Sequence, residues 1–300
     1  MESAVFLKKA SLKKGSQKDA FKNRLSLLRI KLSDIMCSKG AKGMVVFSLK
    51  GKLKLVVVLI ILAVVLGAGF FFLNDAKELV SMVAGKDAVK PIYQVDTDEK
   101  KVAISFDACW GAERTDKLLE ILDDNDVKAT FFLVNIWLED YPEKAKEIVA
   151  KGHEIGLHST THPHFTQLSK EEMEKELKAN KEMVKKVTGY DATVFRPPFG
   201  DYNNQVIETI TNLGLTPIQW SVDSLDWKEE LSAQNITKRI MERVGKGAVI
   251  LMHNDGQYTP EVIKVVLPEL KRQGYTIVPV SELLIKGDWY VDSNGIQRKK

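Results

Sequence analysis

The stretch KVAISFDACWG, residues 101–111, decides the fold. Val102, Ile104 and Phe106 alternate with the small residues Ala103 and Ser105, which predicts a strand buried on both faces. Asp107 stands at its carboxyl end, followed by Cys109 and Trp110. Enzymes with parallel strands keep their reactive groups at that end. A single acid at this position more often caps the next helix. Whether Asp107 is a functional residue therefore depends on which residues stand at the ends of the other strands.

Beyond this strand, short apolar runs alternate with segments of helical periodicity. This alternation predicts an α/β fold with a parallel sheet, closed or open. The predicted strands are 101–106, 129–134, 154–157, 193–195, 216–220, 248–252 and 276–280, and the predicted helices are 114–123, 142–151, 169–187, 203–213, 232–244 and 259–272.

The charge of the chain is unevenly distributed. Of its 300 residues 44% are hydrophobic and 28% charged, a composition typical of globular rather than disordered proteins. Residues 1–54 carry a net charge of +11 and the remainder carries −7. A basic tail on an acidic body indicates a membrane or another anionic partner for the tail alone. Nothing in the pattern indicates nucleic-acid binding.

Residues 55–73, LVVVLIILAVVLGAGFFFL, contain no charge and are long enough to span a bilayer. Lysines precede this run, which predicts a cytoplasmic N-terminus and an outer domain on a single-pass protein of the cell membrane. A cleaved signal peptide is the alternative, although no clear cleavage site follows the run. Met44 offers a second start that would leave only a short basic segment before the anchor.

The sequence therefore divides into five predicted parts. They are a basic cytoplasmic segment (1–54), a transmembrane signal-anchor helix (55–73), a stalk (74–98), an outer domain (99–285) and a polar C-terminal tail (286–300).

Four of the five histidines fall within the segment GHEIGLHSTTHPH, residues 152–164. His158 follows a predicted strand and His162 is four residues on, so a helical turn would place both imidazoles on one face, where they can share a metal ion. Zinc, cobalt or nickel suits such a pair. A surface turn is the alternative interpretation, and we interpret His153 and His164 as structural.

Other predicted strands also end in reactive side chains. Arg196 lies in the motif RPPFG, Asp223 and Asp226 lie in DSLDW, and His253 lies in LMHN. Alone, these motifs indicate a proline-stiffened loop, a turn before a helix and a core histidine. Together with Asp107 and the histidine pair they predict one functional rim at the carboxyl edge of the sheet.

Over about residues 99–285, the ordered motifs SFDACWG, HSTTH, RPPFG, DSLDW and LMH resemble those of the NodB-like polysaccharide deacetylases, carbohydrate esterase family 4. The form of the first motif, the tail and the anchor are most similar to the PdaB-like sporulation branch. The resemblance implies a distorted, incomplete (β/α) barrel that acts on an N-acetylated cell-wall polysaccharide such as peptidoglycan, with a role in spore or wall formation.

The resemblance also implies roles in amide hydrolysis. Asp107 matches the general base that acts on a metal-activated water, and Arg196 matches the residue that orients it. His253 matches the general acid that protonates the departing amine. An acid of the DSLDW motif keeps this histidine charged, and we favour Asp226 over Asp223 because it stands next to a tryptophan.

The remaining expected contacts concern the metal and the substrate. His158 and His162 match the metal ligands of the family. The backbone amide near Phe199 matches the donor that stabilises the oxyanion. Further substrate contacts are expected from Tyr202, Trp110 and Trp227, although core packing is an equal alternative for the two tryptophans.

One position departs from the family pattern. Ala108 stands where the family has an aspartate that supplies the third metal ligand. An extra water or Cys109 would complete the site, or the site is empty, so we expect a weakly bound divalent metal ion, with zinc preferred.

The chain is then a membrane-anchored deacetylase, or a silent relative that binds glycan or a wall-assembly partner. A third reading, with Cys109 as nucleophile and His253 as its base, has no support from the motif order.

Overall fold

The computed structural model describes residues 35–39, 45–49 and 89–300. In the N-terminal part, strands β1 (Ile35–Lys39) and β2 (Val45–Leu49) pair antiparallel. The sequence analysis predicted no strand there. The predicted anchor helix at 55–73 lies outside the described residues.

None of the helices in the described part of the chain combines the length and the apolar character needed to cross a membrane.

The domain that carries the site alternates strands and helices, as the sequence predicts. Its strands are β3 (Gln94–Val95), β4 (Lys101–Ala108), β5 (Thr130–Leu133), β6 (Glu154–Leu157), β7 (Val194–Phe195), β8 (Thr216–Pro217), β9 (Val222–Asp223), β10 (Val249–His253), β11 (Thr276–Val278), β12 (Trp289–Val291) and β13 (Ile296–Lys299). Its helices are α1 (Thr115–Asp124), α2 (Asn135–Asp140), α3 (Pro142–Ala150), α4 (Lys170–Thr188), α5 (Asn204–Asn212), α6 (Ala233–Arg243), α7 (Thr259–Arg272) and α8 (Val280–Leu283).

The central sheet is parallel and has the order β8-β7-β6-β5-β4-β10-β9, with β11 paired to the start of β4. It curls into a half-barrel, which confirms the predicted α/β class and incomplete barrel. All seven predicted strands and six predicted helices are present. The short elements α2, α8 and β9 were not predicted, because two to six residues are too few to show a periodicity.

Local signals set the ends of α4, the longest helix within residues 89–300. Ser169 and Glu172 form a reciprocal capping box at its N-terminus. Gly189 follows its last residue with φ of +75°, a left-handed conformation that glycine adopts without a steric penalty. The sequence therefore encodes both the start and the stop of this helix.

The alternation along β4 sorts its side chains onto two faces. Val102, Ile104 and Phe106 are fully buried in the apolar layer that the helices cover. Ser105 and Asp107, at the intervening positions, are buried on the opposite, inner face of the curled sheet. A strand that is buried on both faces thus delivers a carboxylate to the inside of the half-barrel.

The predicted stalk at 74–98 is wrong in its last residues. Ile92 is fully buried, and its amide donates to the carbonyl of Pro217 at 2.9 Å. The amide of Val95 donates to the carbonyl of Gly247 at 2.9 Å. Residues 92–95 therefore bridge the end of β8 and the segment that precedes β10, because an open sheet leaves backbone groups there that need partners.

The predicted polar tail at 286–300 is also wrong. It forms the hairpin β12–β13, and β13 pairs in parallel with β3. Gln297 is fully buried, and its side-chain amide bonds both backbone groups of Ile285, at 2.9 and 3.3 Å. The dipeptide Asn294-Gly295 between two alternating runs is a hairpin signal that the polar composition concealed.

Replacing the fully buried Gln297 by alanine should destabilise the domain by roughly 1–3 kcal/mol, because two partly buried backbone groups of Ile285 lose their partners. Lys299→Ala, at an exposed position of the same strand, is the matched control and should have little effect. Urea unfolding followed by circular dichroism measures both. Equal midpoints for the two variants would show that the hairpin does not contribute to the stability of the domain.

Candidate active site

The carboxyl edge of the sheet opens into a cleft of about 800 Å³. Sequence-predicted residues that line it are Asp107, Trp110, His158, His162, Phe199, Asp223, Asp226, Trp227 and His253. Cys109 also lines it, with residues that the sequence analysis did not assign to the site, namely Arg114, Gly200, Trp220, Glu229, Leu251, Asp255, Gly256 and Gln257. Strand register explains the convergence, because His253 on β10 lies directly opposite Asp107 on β4.

Asp107 forms a buried ion pair with Arg196. Nη1 of Arg196 donates to Oδ1 of Asp107 at 2.6 Å, and Nη2 donates to the Ser105 hydroxyl at 2.8 Å and to the Gln219 carbonyl at 3.3 Å. Burial raises the pKa of Asp107, but the charges of Arg196 and then of the nearby histidines outweigh it and lower the pKa below its ordinary value. Asp107 is therefore an ionised carboxylate inside the protein.

Two aromatic rings pack against the buried guanidinium of Arg196. The guanidinium carbon of Arg196 lies 4.1 Å from the centre of the Phe132 ring and 5.6 Å from that of Trp220. On the next strand, a Cβ at Gly156 would lie 2.4 Å from the Phe132 ring, so only glycine leaves room for it. The strand sequences thus fix the position of Arg196, which in turn fixes that of Asp107.

His253 forms a second pair, with Asp226. The distance between Nδ1 of His253 and Oδ1 of Asp226 is 2.7 Å, and Oδ2 of Asp226 accepts from the His253 amide at 2.8 Å and from the Thr259 hydroxyl at 2.6 Å. Burial lowers the pKa of His253, but the hydrogen bond and charge of Asp226 raise it to about 9. A Cβ at Gly256 would lie 2.9 Å from Oδ2, so the close approach requires glycine.

Of the two acids in the DSLDW motif, it is Asp226 that contacts His253. The carboxylate of Asp223 accepts from the amide of Leu225 at 2.9 Å and so stabilises the turn. Asp223 is itself half-buried and still lines the cleft.

The metal-ligand candidates form a cluster beside Asp107. Ligand atoms of Cys109, His158 and His162 all lie within 4.8 Å of one another. Nδ1 of His158 lies 2.7 Å from the carbonyl of Arg196, which leaves Nε2 directed at the cleft, 3.5 Å from Oδ2 of Asp107. Two imidazoles and a thiol are ligands that suit zinc, so the residues present fit a divalent ion.

The histidines of this cluster are neutral at neutral pH. Burial lowers the pKa of His158, and burial together with the charge of His158 lowers that of His162 to about 4. A neutral imidazole keeps a lone pair for a metal ion.

The predicted helical turn at 158–162 is wrong. These residues form a loop, in which Ser159 and His162 have φ of 80° and 56°. The two left-handed residues turn the chain back on itself. This turn, and not a helix, brings the ring centres of His158 and His162 to 5.0 Å from each other. Local spacing predicted the proximity, but not the conformation that produces it.

Helix α4 holds this loop through two side chains that the sequence analysis missed. Oδ1 of Asn180 accepts from the amides of His158 and Ser159 at 2.9 and 3.1 Å. Oε2 of Glu176 accepts from the amides of Thr160 and Thr161 at 2.8 and 2.9 Å. Asn180 is a polar residue on the apolar stripe of α4, a signal that would have identified it.

Exposed aromatic side chains stand at the mouth of the cleft. Trp110 is 60% exposed, Phe199 60% and Trp227 56%, so core packing of the two tryptophans is wrong. Tyr202 is placed elsewhere: its hydroxyl lies 3.1 Å from that of Tyr93, and it does not line the cleft.

The two histidines interpreted as structural lie outside the metal-ligand cluster. Nδ1 of the buried His153 accepts from the amide of Ala129 at 3.2 Å. The ring of His164 stacks on that of Phe199, with centres 4.2 Å apart.

Cys109 does not have the properties of a nucleophile. Burial, with the negative charges of Asp107 and Asp255, raises the pKa of its thiol, so the metal-free side chain stays protonated at neutral pH. A reactive cysteine needs a positive environment that lowers the thiol pKa.

The pair of Asp226 and His253 generates a prediction about titration. In a proton NMR titration, Asp226→Asn should lower the pKa of His253 from about 9 toward the ordinary value of about 6.5, while Asp223→Asn should leave it unchanged. His253→Ala assigns the signal. Because the folded-state pKa is raised, the pair stabilises the fold fully below about pH 6.5 and loses this contribution as the pH rises through about 9. A wild-type value near 6.5 would contradict the assignment.

Comparison with known proteins finds similarity to polysaccharide deacetylases. The family model "Polysaccharide deacetylase" matches residues 94–218. The Listeria monocytogenes peptidoglycan-N-acetylglucosamine deacetylase PgdA is 37% identical over 184 residues, which are 61% of this chain and 39% of that protein. The Bacillus subtilis peptidoglycan-N-acetylmuramic acid deacetylase PdaA is 30% identical over 223 residues, 73% of this chain and 84% of that protein.

Solved structures share the fold. That of BA3943 from Bacillus anthracis, described as a pseudoenzyme of carbohydrate esterase family 4, superposes with a TM-score of 0.62 and 34% identity, over 64% of this chain and 68% of the other. A mutant of it is described as having restored enzymatic activity. The chain spans less than two thirds of the length of PgdA and more than four fifths of that of PdaA. From the site, the fold and these similarities together, the chain belongs to the polysaccharide deacetylase family, carbohydrate esterase family 4.

Proposed function

We propose that the protein removes N-acetyl groups from the amino sugars of a cell-wall glycan, peptidoglycan in the first place. One observation carries this proposal. An ionised carboxylate, Asp107, and a protonated imidazole, His253, occupy opposite register positions on neighbouring strands and line one cleft. Amide hydrolysis needs a base for the attacking water and an acid for the departing amine.

Asp107 supplies the base. Its carboxylate is held by Arg196 on Oδ1, which leaves Oδ2 on the side of the histidine cluster to accept a proton from water. A divalent cation held by His158 and His162 would act as a Lewis acid toward the acetyl carbonyl. Arg196 keeps its own charge and orients the base without taking the proton.

His253 supplies the acid. With a pKa of about 9 it carries its proton at neutral pH, and Asp226 on Nδ1 leaves Nε2 as the donor toward the cleft. When the carbon–nitrogen bond of the amide breaks, this proton passes to the nitrogen and the acetyl group leaves as acetate. The two ionisable pairs thus hold opposite protonation states at one pH.

The loop at Phe199 offers a donor for the oxyanion. Phe199 has φ of 59°, and within residues 89–300 no backbone carbonyl accepts a hydrogen bond from its amide. The Phe199 side chain is mostly exposed and stacks on the ring of His164. A free backbone amide at the cleft is the group that stabilises a tetrahedral intermediate.

The aromatic side chains at the mouth support a sugar polymer as substrate. Trp110 and Trp227 present exposed rings on which pyranose faces can pack. The names of the similar proteins PgdA and PdaA refer to different amino sugars of peptidoglycan, so the proposal includes both sugars.

A second function, glycan binding without hydrolysis, is favoured by one specific observation. Ala108 stands where the resemblance implies a metal-binding aspartate, and the similar structure BA3943 is described as a pseudoenzyme. In that case the aromatic rim and the cleft serve recognition of the wall or of a wall-assembly partner.

Asp107→Asn and His253→Ala should each lower the rate of acetate release from peptidoglycan by roughly 10²-fold or more, the usual contribution of a general base or acid. Asp140→Asn, at an exposed position away from the cleft, is the control and should keep the wild-type rate. Melting temperatures verify that the variants are folded. A variant with near wild-type turnover would exclude its residue from the assigned role.

If wild type releases no acetate but sediments with peptidoglycan, the binding function replaces the enzymatic one. Trp227→Ala should then weaken sedimentation, whereas Tyr290→Ala, which removes an exposed aromatic ring that does not line the cleft, should not.

We further propose that residues 55–73 anchor the protein and that its deacetylase domain lies outside the cell membrane. The basic segment before this run and the cell-wall substrate support the proposal. Protease added to intact cells stripped of their wall should digest residues 99–300. Protection of this domain until detergent is added would contradict the topology.

A further inference from the structure

The alternation of β4 explains why the residue at position 108 does not line the cleft. Asp107 and Cys109 are two positions apart and both line the cleft. Ala108, between them, is fully buried in the apolar layer under the helices, together with Phe106. Successive side chains of an extended segment point to opposite faces, so the thiol emerges on the same side as the base.

The thiol also lies at a suitable distance from the histidine pair. Sγ of Cys109 and the nearest ring nitrogens of His158 and His162 are all within 4.8 Å of one another. Ligand atoms around a tetrahedral zinc ion are roughly 3.5 Å apart, given bond lengths of about 2.0–2.3 Å. The three ligand atoms would therefore have to approach one another by at most about 1.3 Å, the difference between 4.8 and 3.5 Å, to hold an ion.

We propose that Cys109 is the third protein ligand of the metal, in the place of the carboxylate that Ala108 lacks. The inference rests on the proposed metal-assisted deacetylation and names the ligand set that it uses: one thiolate and two imidazoles. When the metal binds, the sulfur–metal bond forms and the thiol proton passes to solvent. The third ligand thus comes from the first residue after β4, and not from position 108.

This ligand set determines which ion the site selects. A thiolate is a soft ligand, so the site should prefer zinc or cobalt to manganese or magnesium, which favour oxygen ligands. It also brings a negative charge next to two neutral imidazoles. Metal binding should therefore be firm, in contrast to the weak binding expected from the two histidines alone.

Cobalt(II) titration of the full-length protein tests the inference. Wild type and Cys37→Ser, which removes the other cysteine of the chain, should both develop a sulfur-to-cobalt charge-transfer band. Cys109→Ser, a nearly isosteric change, should lack the band and bind cobalt at least about tenfold more weakly. The same spectrum and affinity in Cys109→Ser and wild type would overturn the inference.

A second measurement applies if Cys109→Ser does not fold. In Cys37→Ser, Cys109 is the sole thiol, and zinc should slow its alkylation by iodoacetamide, while His162→Ala in the same background should abolish that protection. Alkylation at equal rates with and without zinc would also overturn the inference.

Acetate release separates the two proposals. A charge-transfer band without acetate release refutes the deacetylase alone, and acetate release without the band refutes the thiolate ligand alone.

Discussion

The buried pair of Asp107 and Arg196 is the interaction on which the rest of the site depends. Two charges taken out of water carry a desolvation cost of several kcal/mol each, which only good geometry and further hydrogen bonds offset. Here the guanidinium bonds the carboxylate, a serine hydroxyl and a backbone carbonyl, and Phe132 covers its face. Strands β5 and β6 accommodate this arrangement, because Phe132 on β5 covers Arg196 and Gly156 on β6 leaves room for the Phe132 ring.

The same constraint sets the chemistry of the cleft. The positive charge of Arg196 keeps Asp107 ionised, while the negative charge of Asp226 keeps His253 protonated. The two pairs are adjacent because β4 and β10 are adjacent in the sheet, although the residues they join are far apart in the sequence. The protonation states of the two groups are thus distinguished by their partners, and neither partner is the residue at position 108.

Because neither ion pair involves position 108, the alanine there can be compared with the substitutions expected in pseudoenzymes of the family without reference to these pairs. With alanine at position 108, Asp107, His253 and the pair of His158 and His162 still lie at one cleft. Helix α4 keeps the histidine loop folded through Asn180 and Glu176, in a conformation that needs two left-handed residues. These groups are therefore held in place without a carboxylate at position 108.

The sequence by itself determined the class of the fold, the order of its main strands and helices, and the residues at the strand ends. These follow from period-two and period-3.6 patterns, which encode which faces are apolar, and from local caps such as Ser169 and Gly189. Ordered motifs then located Asp107, His158, Arg196 and His253 on one rim, because parallel strands carry their carboxyl ends to the same edge.

Only the tertiary structure decided which of these polar groups meet. It brought Asp226, and not Asp223, to His253, exposed the two tryptophans, moved Tyr202 away from the cleft and turned the thiol of Cys109 toward the histidines. It also joined residues 92–95 and the C-terminal hairpin to the domain. Each of these outcomes depends on pairing between distant segments or on left-handed loop residues, and neither leaves a periodic trace in the sequence.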